Sequence, residues 1–272
     1  MKYLKMLGRV ILYFMIYIFT TFICSIAYGL IYSVMNVGKV NQSELTALIL
    51  KNQFLVAAVA GVITLGIYVL MFRKKELNLF QLCKFRKLSL KNSSIIILSC
   101  IGLAFVSSSL VSLLINKFPS YSETSNAIAS NTNSVLGVIS VVLIIPIFEE
   151  VLFRGLIFNE LKNHLNIIIA IILQGAIFAL AHGNMLQGIY TFIMGVVIAI
   201  VYNKIQSILA PMLFHVLYNL FGSIVVPVII TAIGGYHIAF LVFGTIMLII
   251  SLILLFKNNV DVVTSHNLAA EL

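Results

Sequence analysis

Two adjacent glutamates and an arginine stand inside a run that is otherwise apolar: Ile147-Phe148-Glu149-Glu150-Val151-Leu152-Phe153-Arg154-Gly155. A charge at membrane depth costs a few kcal/mol on insertion scales, so such groups face protein or a watery cavity and mark function. Glu150 and Arg154 are four residues apart, the spacing at which side chains on one helical face meet, and an ion pair there lowers the cost of both charges. Glu149 lies about 100° further round the helix and points elsewhere. A carboxylate isolated in a low-dielectric pocket takes up a proton more readily, which is what a general base needs. The same three residues also suit a structural network that holds helices together.

Two further polar groups follow. Phe178-Ala179-Leu180-Ala181-His182-Gly183-Asn184 carries one histidine in its span. Taken alone, a histidine in a helical bundle reads as a hydrogen bonder between helices. Pro211-Met212-Leu213-Phe214-His215-Val216-Leu217-Tyr218-Asn219 puts an imidazole and a carboxamide four residues apart, so both project from one face and both can donate hydrogen bonds. Two donors aimed at one point stabilise an oxyanion; the same pair can equally bond a neighbouring backbone carbonyl. The three groups together are more informative than any one of them, because they distribute side chains suited to base, acid and oxyanion work over three segments. His164 and His266 fall in a loop or tail and His237 near a helix end, and none is assigned a role.

The elements that must position these residues are membrane helices. Of the 272 residues, 61% are hydrophobic and 9% charged, against about a quarter charged in soluble domains. Apolar runs long enough to span a bilayer, about 17 to 25 residues each, occur near 10–34, 54–72, 94–115, 134–158, 166–183, 187–203, 208–232 and 236–256. The expected fold is therefore all-α: one integral-membrane domain over residues 1–272, a polytopic bundle of about eight transmembrane helices in the cell membrane. The first run follows Lys2, Lys5 and Arg9 but is longer than the core of a signal peptide, so it is expected to remain as an anchor. With the N-terminus inside, all Lys and Arg except Lys39, Lys51 and Lys117 fall on the cytoplasmic side, and the positive-inside rule then places both termini in the cytoplasm. The basic loop containing Arg73, Lys74, Lys75, Lys84, Arg86, Lys87 and Lys91 dominates this asymmetry. Topology and anionic lipid thus account for the net charge of +9, and no nucleic acid is called for. Cys24, Cys83 and Cys100 lack metal or disulfide spacing and are read as packing residues. The polar stretch 116–133 reads as an external loop, and residues 257–272 as a mobile tail.

The three polar groups resemble, in order, the three motifs of the CAAX prenyl protease and bacteriocin-processing family (CPBP, also Abi) of intramembrane proteases. Glu149, Glu150 and Arg154 match Glu-Glu-x-x-x-Arg, Phe178 and His182 match Phe-x-x-x-His, and His215 and Asn219 match His-x-x-x-Asn. The resemblance covers about 134–222, the expected catalytic core. It implies an endopeptidase in which Glu149 and His182 activate a water against a peptide carbonyl while His215 and Asn219 steady the oxyanion. Glu150, Arg154 and Phe178 are implied as supporting residues. It implies membrane-associated peptides or proteins as substrates, and neither cofactor nor metal, although one carboxylate and two histidines would also suit a catalytic zinc. It equally allows a non-enzymatic immunity or regulatory protein that binds a bacteriocin or a signalling partner. Transport through a buried proton relay is a third reading, disfavoured by the lack of an internal repeat.

Depth within the membrane constrains any such site. Glu149 and His182 are nearly equidistant from a turn near Leu165, so an antiparallel hairpin brings them level. His215 lies only about 10 Å from the start of its helix at 1.5 Å per residue, whereas His182 is near the far end of its own. Helices must therefore tilt, break or extend beyond the bilayer, and Gly183 and Gly188 are the expected places for a break.

Overall fold

The computed structural model describes residues 1–37 and 41–258, and all regular structure among them is helical. Eleven helices follow in order: α1 Lys2–Met35, α2 Gln42–Lys51, α3 Gln53–Phe72, α4 Leu79–Cys83, α5 Leu90–Lys117, α6 Tyr121–Asn131, α7 Val135–Lys162, α8 Ile167–Leu180, α9 Met185–Ile205, α10 Leu209–Ala232 and α11 His237–Lys257. Seven of them are long and apolar enough to cross a membrane, namely α1, α3, α5, α7, α9, α10 and α11. The protein is a multi-pass membrane protein built from these helices.

The eighth expected span is α8, and it is shorter than its apolar run. Its 14 residues extend about 21 Å at 1.5 Å each, less than the roughly 30 Å of a bilayer's hydrocarbon core. Local chemistry ends it early. Gly183 adopts φ +69°, a conformation glycine enters without steric cost, and the Asn184 side chain then accepts from the N–H groups of Leu186 and Gln187 to cap α9. The expected break thus falls at Gly183, while Gly188 lies within α9 and does not interrupt it.

A second correction concerns 116–133, expected as a loop. Tyr121–Asn131 is the helix α6, because polar composition removes a segment from the hydrocarbon without removing its capacity for i→i+4 hydrogen bonds. The tail expected at 257–272 lies, beyond Asn258, outside the described residues, as do Lys39 and His266.

The centre of the bundle is α5, where Ser99, Cys100, Leu103 and Ala104 are fully buried. It packs against α11 along most of its length and against α10 on another side. Gly102 and Gly244 let α5 and α11 touch backbone to backbone: a Cβ on Gly102 would lie 2.8 Å from the Leu248 nitrogen and 2.9 Å from the Gly244 carbonyl oxygen. Apolar lipid does not drive helices together, so small residues that permit close van der Waals contact carry membrane packing. The same device joins α8 to α9, where a Cβ on Gly195 would lie 2.9 Å from the Cα of Gly175. On the other flank, α1 pairs with α3, and the Tyr68 hydroxyl donates to the Tyr13 carbonyl at 2.6 Å.

Contacts between distant segments bring Arg9, Lys84 and Arg86 to one end of the bundle. Arg9 at the start of α1 pairs with Glu160 at the end of α7 at 2.6 Å. The Asn258 side chain donates to that of Asn92 at 2.7 Å, so both ends of the described chain lie at this same end. Lys84 bonds Gln206, the Ser207 hydroxyl donates to the Arg86 carbonyl at 2.6 Å, and the Ile208 N–H donates to the Lys84 carbonyl at 3.2 Å. Ser207 and Ile208 are consequently buried. The start of α10 therefore sits inside the protein rather than at its surface. Arg154 is fully buried and belongs to neither end.

Replacing Gly102 by Leu should lower the thermal midpoint in detergent, by an amount equivalent to about 1–3 kcal/mol, because its neighbours are backbone atoms that cannot yield. Gly66→Leu, at a position where an added Cβ meets nothing within 4 Å, should change it little in the same assay.

Candidate active site

Helix α7 is not a uniform α-helix. Two stretches of wider i→i+5 turns, Ile139–Ile144 and Val151–Phe158, bracket an α-helical segment Ile145–Glu150 that ends on the glutamate pair. A third wide stretch, Phe221–Val225, follows Asn219 in α10. Such turns are rare and concentrate at functional sites. One consequence is local and specific. Pro146, five residues after Val141, has no N–H to return to the Val141 carbonyl in this register. The Asn219 side chain supplies the missing donor from α10, at 2.8 Å.

Glu150 and Arg154 form the buried pair expected from their spacing. Both side chains are 0% exposed, and Arg154 Nη1 donates to Glu150 Oε1 at 2.9 Å. Arg154 Nη2 reaches the Gly195 carbonyl on α9 at 3.3 Å, and its guanidinium lies 4.5 Å from the centre of the Phe178 ring on α8. The close contact of α8 with α9 through Gly175 and Gly195 makes both partners reachable from one side chain. Phe178 is buried against Phe153, His182 and His215 as well, meeting each edge to face at 4.9, 4.8 and 5.8 Å between ring centres.

His215 lies between the two glutamates. Its Nδ1 donates to Glu150 Oε1 at 2.6 Å, and its Nε2 stands 3.6 Å from Glu149 Oε2. A histidine whose Nδ1–H is held by a carboxylate has its ring orientation and tautomer fixed, which leaves Nε2 for whatever it faces. Glu149, one residue along from its buried neighbour, is 18% exposed and opens into a cavity. His182 lies past the end of α8, in the turn before Gly183, rather than within a helix. Its Nδ1 is 2.8 Å from the Phe178 carbonyl, a bond that requires the proton on Nδ1 and directs the Nε2 lone pair away from it.

Glu149, His182, His215 and Asn219 all line this one cavity, of about 750 Å³. The four residues expected to converge therefore share a space, and Glu150, Arg154 and Phe178 lie buried beneath it. One expected pairing is different in kind: His215 and Asn219 do not aim their donors at one point, because His215 Nδ1 is taken by Glu150 and Asn219 bonds the Val141 carbonyl. Sequence reasoning also missed cavity-lining residues, among them Tyr190, Tyr218 and His237. The run Ser107-Ser108-Ser109 inside an apolar span was a legible signal, since Ser107 and Ser108 line the cavity too; single tyrosines gave none. Among the described residues, no group of three or more His, Cys, Asp or Glu side chains is placed to share a metal ion.

Fold and site together define a polytopic helical membrane protein with a buried carboxylate–arginine–histidine cluster under an open cavity. Residues 131–221 match the family described as Type II CAAX prenyl endopeptidase Rce1-like, the same segment that carries the three motifs. The chain is also 29% identical over 101 residues to a Bacillus subtilis (strain 168) protein described as "Putative membrane peptidase YdiL", a match that covers 34% of this chain and 41% of that one. The similarity thus spans less than half of that relative's length. No solved structure shows significant similarity to the chain.

Breaking the buried pair should be severe. Arg154→Ala leaves Glu150 charged and enclosed, so a loss of about 3–5 kcal/mol is expected, read as a fall in thermal midpoint and in membrane accumulation. The double variant Glu150→Gln/Arg154→Met, which removes both charges, should recover part of that loss.

Proposed function

We propose that this protein is an intramembrane endopeptidase that hydrolyses peptide bonds of membrane-associated peptides or proteins. The observation that carries the reading is the Glu149 carboxylate, open to the cavity beside an imidazole whose other nitrogen is pinned to the buried Glu150–Arg154 pair. The match to a CAAX endopeptidase family supports it. In this reading a water lies between Glu149 and the free Nε2 of His182. Glu149 takes its proton as the oxygen attacks the substrate carbonyl, and His182 orients it. His215, its Nδ1–H held by Glu150, takes on Nε2 the proton that Glu149 has removed from the water, donates that Nε2–H to the oxyanion as an imidazolium, and then delivers the proton to the leaving amine, which returns Glu149 and His215 to their starting states. Asn219 contributes through the amide hydrogen not engaged by Val141. Phe178 and Arg154 are positioning residues.

The orientation proposed for the bundle follows the positive-inside rule, with the basic end and both termini in the cytoplasm. The binding alternative, an immunity or regulatory protein that holds a bacteriocin or signalling partner without cleaving it, predicts that Glu149 and His182 are dispensable. It gains support if their variants accumulate normally and keep the cellular phenotype.

Purified protein incubated with candidate membrane peptides should lose about 100-fold or more of its cleavage rate on Glu149→Ala, the scale of general-base catalysis, with its thermal midpoint retained. An active Glu149→Ala enzyme defeats this assignment. Exhaustive chelation should leave the wild-type rate undiminished, and loss restored only by added zinc would replace the metal-free mechanism.

A further inference from the structure

The cavity has a direction, and five helices agree on it. On α7, which runs toward the basic end, the lining residues are Glu149 and those before it, Val141 and Ile145. On α10, which runs away from the basic end, they are His215 and residues after it as far as Thr231. The later part of α5, through Ser107 and Ser112, and the early part of α9, through Gln187 and Tyr190, line the same side. Phe54, at the start of α3, completes it. The site cluster is therefore the floor of the cavity, closed beneath by Phe178 and the Glu150–Arg154 pair. From His215 to Thr231 the walls rise about 24 Å at 1.5 Å per residue, toward the end opposite the basic loops.

Helix α6 lies across that opening. Tyr121, Ser125, Ile128, Ala129 and Thr132 all line the cavity, and their spacing of three and four places them on one helical face. The Tyr121 and Tyr190 hydroxyls, 3.4 Å apart, and their rings meeting edge to face tie the start of α6 to α9.

The lining chemistry is equally particular. No lysine, arginine or aspartate lines the cavity, and Glu149 is its one carboxylate among the described residues. The walls combine hydroxyls, such as those of Ser107, Ser125 and Tyr190, with apolar side chains such as Val111, Ile145 and Ile230. An extended peptide presents one N–H and one C=O per residue, which such hydroxyls can satisfy as either donor or acceptor.

We infer that the substrate polypeptide enters the site from the extracytoplasmic side, beneath α6. This rests on the peptidase reading for the chemistry and on the charge asymmetry for the side. Two measurements on the full chain separate them. Ser125→Cys and Lys74→Cys, on α6 and in the basic loop, are treated in intact cells with a membrane-impermeant maleimide, with wild-type protein as the background for its own cysteines. Labelling of S125C and not of K74C, reversing in inside-out vesicles, is expected; the opposite pattern overturns the side of access. In the same cells, peptide termini present with wild-type protein and absent with Glu149→Ala are mapped by mass spectrometry. Termini within extracytoplasmic segments are expected. Termini confined to cytoplasmic segments overturn the inference. Absence of any Glu149-dependent terminus, with the labelling as expected, removes the peptidase reading while the orientation of the cavity stands.

Discussion

A charged pair enclosed by lipid-facing helices sets the terms for the rest of this structure. Glu150 and Arg154 are fully buried, and neither can stay ionised at that depth without partners on several sides. Meeting that demand recruits α9 through the Gly195 carbonyl, α8 through the Phe178 ring and α10 through His215. The geometry of the candidate site is to this extent a by-product of neutralising two charges. The imidazole that faces the cavity is oriented by a carboxylate that must be satisfied in any case.

Neighbouring glutamates have opposite surroundings because of helical geometry alone. One step of about 100° turns Glu149 from the enclosed cluster to the cavity wall. The wide turns on either side of the pair alter the register of α7 above and below it, and they create obligations elsewhere, as the Val141 carbonyl and Asn219 show. Close approach of α8 and α9 at Gly175 and Gly195 is the other prerequisite, since bulkier residues there would lift the Gly195 carbonyl and the Phe178 ring away from Arg154.

Much of this is legible in the amino-acid order. Spans appear as apolar runs because the bilayer fixes their length, and the Glu150–Arg154 pair appears because four residues bring side chains onto one face. The hairpin that levels Glu149 with His182 follows from counting outward from Leu165. What stays hidden depends on events between segments. Gly183 is one of two glycines where a break is expected, but its left-handed conformation and the cap supplied by Asn184, which together stop the helix at Leu180, cannot be read from the apolar pattern of the run 166–183. The partner of Asn219 depends on Pro146, far earlier in the chain and in a helix whose turns are wider than normal, which no periodicity reveals. Helix α6 reads as a loop because its polarity reports exclusion from hydrocarbon and says nothing of its backbone. The buried start of α10 rests on Lys84 and Arg86, far away in sequence.

The shortness of α8 reaches beyond the protein. Its last residue, Leu180, is 80% exposed, and Met185, which opens α9 across the break, is 70% exposed. Both are exposed apolar side chains at a place where about 21 Å of helix is set against about 30 Å of hydrocarbon. Thinning of the bilayer is one way in which such a mismatch is met, at a fraction of a kcal/mol for each ångström. Where the bilayer thins in this way, acyl-chain length becomes a variable to which the region around the His182 turn is sensitive.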